Sequence, residues 1–502
     1  MRKLLAIALL VLPLGAFAEF PEKLPAPGEH AVTFISTWDE TTQPALLFVP
    51  TAADVGVQLP LLVALHGKGV DHNAWFRFTP VMEKAENHGY VVVTPHGRGD
   101  LWYRGPGEQD VLDLIDHLLA TGRIDPDRVY LAGHSMGGWG TWWIGLRNAE
   151  RFASIAPMAG FSPMDLLPNA LHLDPYIIHD RDDDVVPVDL SRRPAARLSE
   201  LGISHRYVET TGYRHDSRLI GDSLDDVFEW FSARRRISDP KRILLAARTP
   251  AKASHGRLHI LATETVSEPA GVELEWTGVE QTSLRVGTQN VTALAIGPGF
   301  HSLLPLEIDG QLIEEPSFDA VHAALTADPS LQVPEQFHLT KKDGVWTAHL
   351  VMALPPPAIS TKSVSSELEG QLANASQEQV ARTLGALVAK AAGADGMIVR
   401  ADAFAWLGSP LTPDRLADSY VSGAETLGHF ELSGRQIKDA LRADDKLVLA
   451  GIEVSALDDE ATYAVVSPMS PLVRVEVLKV PLKTTTPIYP LLFEGLGITP
   501  WE

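Results

Sequence analysis

The stretch that most restricts what this 502-residue chain can become is Tyr130-Leu131-Ala132-Gly133-His134-Ser135-Met136-Gly137-Gly138-Trp139-Gly140. It sets Gly-x-Ser-x-Gly between a short apolar run and a segment of helical spacing. A serine hydroxyl is a weak nucleophile. A sharp strand-to-helix turn exposes it, and small flanking residues let the backbone make that turn. The start of the helix then offers N–H groups, led by that of Met136, to an oxyanion. Three fixed residues in five also arise in incidental Gly-rich turns. The flanking strand and helix give the pattern its force, because together they demand a sheet with a helix crossing over it.

Residues 20–235 meet that demand. Ala45–Val49, Leu59–Leu65 and Tyr90–Thr94 read as strands, the second nearly all apolar, as a strand covered on both faces should be. Asp110–Thr121 carries Val111, Leu112, Leu114, Ile115, Leu118 and Leu119 at helical spacing. Val129–Ala132 leads into Ser135, and Trp139, Trp142, Trp143 and Leu146 share one face of the helix that follows. Phe152–Met158, Tyr176–Ile178 and His205–Val208 are further strands, and Ser223–Arg234 closes the region as an amphipathic helix. The alternation predicts the α/β class, with a mostly parallel sheet and helices on both faces.

Functional groups in such a sheet collect at the carboxyl ends of its strands. His179-Asp180-Arg181-Asp182-Asp183-Asp184-Val185-Val186-Pro187 follows one strand, and His215 follows the next. The chain order Ser, Asp, His is the order this architecture requires. His215 would take the proton of Ser135, and one aspartate of the run would orient the imidazole and stabilise its charged form. The other aspartates would form a solvated acidic turn. His205 precedes its strand and lies at the wrong end. Leu65-His66-Gly67-Lys68-Gly69 ends a buried strand at the right end, so the Lys68 N–H can join that of Met136 in an oxyanion hole. His66, Trp75, Trp102, Tyr103, His134 and Trp139 are candidate pocket residues. The gap from Phe161 to Pro175 leaves room for one small helix and no lid domain, which predicts an open cleft. Neither a metal nor a cofactor is implied.

These residues resemble the α/β-hydrolase group that holds polyhydroxyalkanoate depolymerase-like and feruloyl-type esterases and prolyl-oligopeptidase-like peptidases. The resemblance rests on Ile124-Asp125-Pro126-Asp127-Arg128-Val129-Tyr130 followed by Gly133 to Trp142. That group writes His-Gly-x-x-Asp-x-x-Val-Pro around its acid. Aligned here, His179 opens the motif, Asp180 replaces the glycine, Asp183 falls on the acid and Val186-Pro187 closes it. The resemblance therefore implies Asp183 as the acid.

The chain opens Met1-Arg2-Lys3, continues with an apolar run from Leu4 to Leu14, and reaches Ala16-Phe17-Ala18. That is the layout of a secretory signal peptide over residues 1–18, and the apolar run is too short to span a bilayer. Periplasmic or extracellular export is the expectation, with no membrane anchor after cleavage. The chain has no cysteine, so the exported protein must be stabilised without disulfides. A net charge of -22 repels phosphate backbones and anionic membranes, which argues against nucleic-acid partners.

Beyond a hydrolase domain at 19–236 the pattern turns β-rich. Arg257–Ala262, Val272–Trp276, Ser283–Val286 and Pro305–Ile308 are short strands, and Gln336–Thr340 and Val345–Leu350 flank the hairpin signal Lys341-Lys342-Asp343-Gly344. A small β-sandwich accessory domain over 237–353 is expected, loosely resembling one found after the hydrolase in some prolyl-oligopeptidase-like proteins. A linker at 354–365 follows Leu354-Pro355-Pro356-Pro357. Residues 366–502 read as an α+β domain, and through Ala394-Asp395-Gly396-Met397-Ile398-Val399, Gly408 to Leu416 and Leu432 to Leu441 they resemble the C-terminal domain of 5′-nucleotidases. There Arg400 to Ala405 replaces the family's nucleoside-binding signature, so a scaffold that has lost its ligand site is expected.

The sequence therefore points to an exported serine hydrolase that acts on a small-molecule or polymer carboxylic ester. The alternatives are a serine peptidase using the same machinery, and a nucleoside- or glycan-binding protein carrying a relic hydrolase.

Overall fold

The structure is a computed structural model that describes residues 18–250, 253–265, 268–277, 283–297, 305–313, 336–351, 372, 375–400, 426–443, 447–468 and 484–487. The residues before Ala18 expected to form a signal peptide, the expected linker at 354–365 and residues 401–405 of the expected replaced signature lie outside them.

The first region is a nine-stranded sheet. Its strands are β1 (Ala18–Glu19), β2 (Gly28–Ile35), β3 (Thr42–Val49), β4 (Leu59–Leu65), β5 (Val91–Pro95), β6 (Ile124–His134), β7 (Ser154–Met158), β8 (Tyr176–Asp180) and β9 (Arg206–Thr210), in the order β1-β2-β3-β5-β4-β6-β7-β8-β9. From β5 to β9 every neighbour is parallel, whereas β3 runs antiparallel to both β2 and β5. Strands β4, β5, β7 and β8 are buried along their whole length, which explains why β4 is apolar throughout.

Helices cover the sheet: α1 (Ala74–Phe78), α2 (Val81–His88), α3 (Pro106–Ala120), α4 (Met136–Arg147), α5 (Asp189–Glu200) and α6 (Arg218–Ser232). Two apolar clusters, one on each face, hold them there. Trp139, Trp142 and Ile144 of α4 pack in one with Leu114 and Ile115 of α3, and Leu224, Val227 and Phe228 of α6 pack in the other. Between β7 and β8 there is a single short helical segment, Met164–His172, in the place of a lid.

That segment is tied to the strand opening the next region, β10 (Arg242–Ala247). Asn169 is buried, and its Nδ2 donates to the carbonyls of Leu146 (2.8 Å) and Ala246 (2.9 Å) while its Oδ1 accepts from the Ala246 N–H at 2.6 Å. Arg248 pairs with Asp165 alongside, at 2.6 Å.

Downstream, β10 joins Ala270–Thr277, Ser283–Gln289, Leu306–Ile308 and Gln311–Ile313 in one five-stranded sheet. Ser254–His255, Leu258–Ala262, Ala293–Ile296, Gln336–Lys342 and Val345–Val351 form a second. One apolar cluster takes Leu274, Val286 and Ile308 from the first and Ile260, Leu294 and Leu339 from the second. The hairpin between the last two strands turns at Asp343 and Gly344, both at positive φ. A third sheet contains Gly396–Arg400, Thr426–Ser433, Leu447–Ala450, Thr462–Pro468 and Thr484–Pro487. The helix Gln377–Ala391 begins there with a capping box between Ser376 and Gln379.

Candidate active site

Strand β6 ends at His134 and α4 begins at Met136, so the whole reversal falls on Ser135. Its φ of 60° and ψ of -118° are strained for a non-glycine residue. Its N–H donates to the Met158 carbonyl at 3.0 Å, which pins the turn to the neighbouring strand. The motif glycines are required by close approach. A Cβ on Gly133 would come within 2.3 Å of the Gly137 carbonyl oxygen, and one on Gly137 within 2.2 Å of that of Leu65.

The strand ends bring the three expected groups together. Ser135 Oγ lies 2.8 Å from His215 Nε2, and His215 Nδ1 lies 2.7 Å from Asp183 Oδ2. Asp183 Oδ1 accepts from the N–H groups of Val185 (2.9 Å) and Val186 (2.8 Å). Burial pushes the Asp183 carboxyl up, but hydrogen bonds from His179, His215 and the Val186 N–H outweigh it and hold the group well below the usual carboxylate range. Asp182 and Asp184 are exposed, and Asp184 pairs with Arg214. Burial thus separates Asp183 from its neighbours.

His134, between the turn and the cleft, has a buried Nε2 without a partner, and its ring lies 4.8 Å from that of His215. Burial, followed by the nearby His215, lowers its pKa to about 3. His134 therefore stays neutral beside the group that would become cationic.

The loop after β4 runs beside the serine turn: a Cβ on Gly67 would sit 3.6 Å from the His134 carbonyl and 3.7 Å from Ser135 Cβ. The Gly69 N–H donates to Asp100 Oδ1 at 2.8 Å and fixes the loop's far side. Lys68 lines the cleft, and Met136 opens α4, where the first N–H groups have no intrahelical acceptor. His66 lines the cleft too, its Nε2 lying 2.8 Å from the His96 carbonyl oxygen and its Nδ1 2.8 Å from that of Gly67.

The aromatic pocket residues divide. Trp75 borders the cleft and anchors α1 by donating from Nε1 to the Leu65 carbonyl at 2.9 Å. Trp102, Tyr103 and Trp139 do not line it; they are buried in the core. Trp139 stacks on Trp143 with ring centres 5.5 Å apart, and the Arg104 guanidinium lies 4.8 Å from its ring centre. Phe161 packs against both Trp102 and Trp139. The Tyr103 hydroxyl donates to the His66 carbonyl at 3.2 Å. These residues build the floor on which the loops rest.

The cleft has a volume of about 250 Å³. Its remaining lining, Val70, Ala74, Phe78, Thr79, Ser217 and Ile220, was not expected from the sequence. Nor was Asp180, which is buried at the end of β8. The exchange of Asp180 for the motif's glycine was the one signal that pointed there.

The strand order, the strained serine turn and the Ser135–His215–Asp183 chain of hydrogen bonds define an α/β-hydrolase fold with a serine-hydrolase type of site. A sequence model described as the prolyl oligopeptidase family matches residues 76–176. A bifunctional acetylxylan esterase/xylanase of Neocallimastix patriciarum is 33% identical over 131 residues, covering 25% of this chain and 20% of that protein. Poly(3-hydroxyalkanoate) depolymerase C of Paucimonas lemoignei is 27% identical over 146 residues, covering 26% of this chain and 35% of that protein. Dipeptidyl-peptidase 5 of Porphyromonas gingivalis is 28% identical over 90 residues, or 16% of this chain and 13% of that protein. The matched segments thus span between 13% and 35% of these relatives' lengths. Among the described residues no helix is long and apolar enough to cross a membrane.

Proposed function

We propose that this protein is an exported serine hydrolase that cleaves a carboxylic ester through an acyl-enzyme on Ser135. The observation that carries the reading is the hydrogen-bonded chain from Ser135 Oγ through His215 to Asp183, opening on the cleft at the carboxyl end of the sheet. His215 Nε2 takes the hydroxyl proton as Ser135 Oγ attacks the ester carbonyl. Asp183 accepts from Nδ1–H and stabilises the imidazolium. The N–H groups of Met136 and Lys68 receive the oxyanion. His215 returns the proton to the departing alkoxide, then activates water against the acyl-enzyme. The neutral His134 adds no like charge that would oppose the imidazolium.

An ester is preferred to a peptide on the lining. Val70, Ala74, Trp75, Phe78 and Ile220 make much of the lining apolar, and among the described residues no carboxylate lines the cleft to receive a substrate ammonium group. Phe78 is 65% exposed and Val70 43%, so apolar surface is offered to a substrate at the mouth. The esterase relatives favour the same reading. The family-model match and the peptidase relative favour a second reading, in which the machinery cuts an amide.

A fluorophosphonate probe, followed by ester and peptide panels assayed side by side, tests both. Labelling lost in Ser135→Ala together with ester turnover supports the reading. Peptide turnover exceeding that of every ester would transfer the assignment to a peptidase, and no labelling would indicate a relic hydrolase. For the domains, we propose a hydrolase over 19–236, a β-sandwich over 237–353 and a C-terminal scaffold over 366–502. Among the described residues, those lining the cleft all fall within the first of these spans.

A further inference from the structure

Asp180 stands where the acid-loop motif of the resembled group has glycine, and its side chain is buried, with the carboxylate held by backbone N–H groups and a hydroxyl. Its backbone is not in the left-handed region, so a side chain is accommodated there without strain. Strand β8 lies beside β9 with Asp180 paired to Thr210, so the carboxylate sits between the two loops that leave these strands. Oδ1 accepts from the Asp182 N–H at 3.0 Å, in the loop that carries Asp183. Oδ2 accepts from the Thr210 hydroxyl at 3.1 Å and from the Tyr213 N–H at 3.0 Å, in the loop that carries His215. Arg214 adopts a positive φ of 55° immediately before His215. The Asp180 backbone carbonyl meanwhile accepts from the Asp183 N–H at 3.3 Å.

We propose that Asp180 is a positioning residue: one buried carboxylate that straps the acid loop to the histidine loop and sets the distance between Asp183 and His215. The proposal rests on the acyl-transfer reading of Ser135. A glycine at 180 leaves these N–H groups to find other acceptors, so this chain holds the pair by a charge the motif does not provide. Hydrogen bonds to an ionised acceptor are about twice as strong as neutral ones, and three donors from the two loops converge on this one group. Burial pushes the carboxyl up, and these donors more than reverse it and hold the group below the usual carboxylate range.

The test is a double-mutant cycle on the full chain, with Asp180→Ala, Asp180→Asn and Asp180→Gly each made alone and on Asp183→Asn. In the parent, Asp180→Ala should lower kcat on the best ester about 10²-fold, as expected for a small misplacement of reacting groups. KM should stay within about threefold. Asp180→Asn keeps one acceptor oxygen and should recover part of the loss. On Asp183→Asn, where the strap has nothing left to position, Asp180→Ala should cost less than about threefold. The low-field proton resonance of the His215–Asp183 hydrogen bond should shift or broaden in Asp180→Asn at unchanged thermal stability. Equal losses in both backgrounds, or a fall in melting temperature with kcat preserved, would overturn the strap. If Asp180→Ala does not fold, the cycle is read on Asp180→Asn alone. Should Ser135→Ala retain activity, the acyl-transfer reading itself fails, an outcome separate from additivity in the cycle.

Discussion

The region before residue 237 and the region after it are both layered around apolar cores, yet they treat buried polarity differently. Among the described residues, all but three of the buried polar or charged side chains lie in the first region; the exceptions are Thr249, His255 and Thr263. Burying polar groups is costly unless they are hydrogen-bonded. The first region bears that cost at the carboxyl end of its sheet, where His66, His134, His179, Asp180 and Asp183 converge. The downstream sheets bury Leu, Ile and Val instead. Apolar burial makes a stable body, whereas chemistry needs groups whose protonation is set by their surroundings.

The sharpest way to break this contrast is to remove chemistry without removing burial. Ser135→Ala should lower ester turnover by about a million-fold, as for a triad serine, with an unchanged denaturation midpoint. Turnover near that of the parent would erase the distinction. Asp183→Asn should lower turnover by about 10⁴-fold, while Asp182→Asn and Asp184→Asn stay within about threefold. Inactivation by Asp182→Asn instead would shift the acid by one residue.

A pH series sharpens the contrast from the side of stability. The folded pKa of His134 is about 3 against an ordinary 6.5. Between those values the unfolded chain takes up a proton that the folded chain refuses. Stability from this group is therefore complete above 6.5 and declines as pH falls toward 3, at up to about 1.4 kcal/mol per pH unit. His134→Gln should flatten that slope in urea titrations, and an identical slope in both proteins would refute it. The smallest effect on activity belongs downstream. Leu294→Ala should destabilise its own core by about 2–5 kcal/mol and leave kcat/KM within about twofold. A larger kinetic loss would show that the second region takes part in the chemistry.

The sequence made the serine turn, the strand alternation and the order of Ser135, Asp183 and His215 legible, because the elbow fixes its own geometry and the strand ends face one way. Strand bounds came close: Phe152–Met158 was expected and Ser154–Met158 is observed. Helix α5 was missed, since Pro194 and its run of arginines hide the apolar spacing of Ala195 and Leu198. Trp102, Tyr103 and Trp139 were assigned to the cleft because an aromatic residue near a motif reads alike whether it faces solvent or core. The burial of Asp180 was hidden for a related reason. In a run of acidic residues, only the pairing of β8 with β9 decides which carboxylate turns inward.

Asn169 bears on how such a protein can be rearranged over evolutionary time. Its amide holds the end of the nucleophile helix to a strand of the following region. Recombination at residue 237 would remove both Ala246 partners and strand the buried Asn169 amide on the segment Met164–His172, at a cost of about 1–3 kcal/mol for each lost partner. A lineage that exchanged its downstream half would have to alter residue 169 in the same step or soon after. The first region is thus tied to its present neighbour, and position 169 should record whether that neighbour was inherited with it or acquired later.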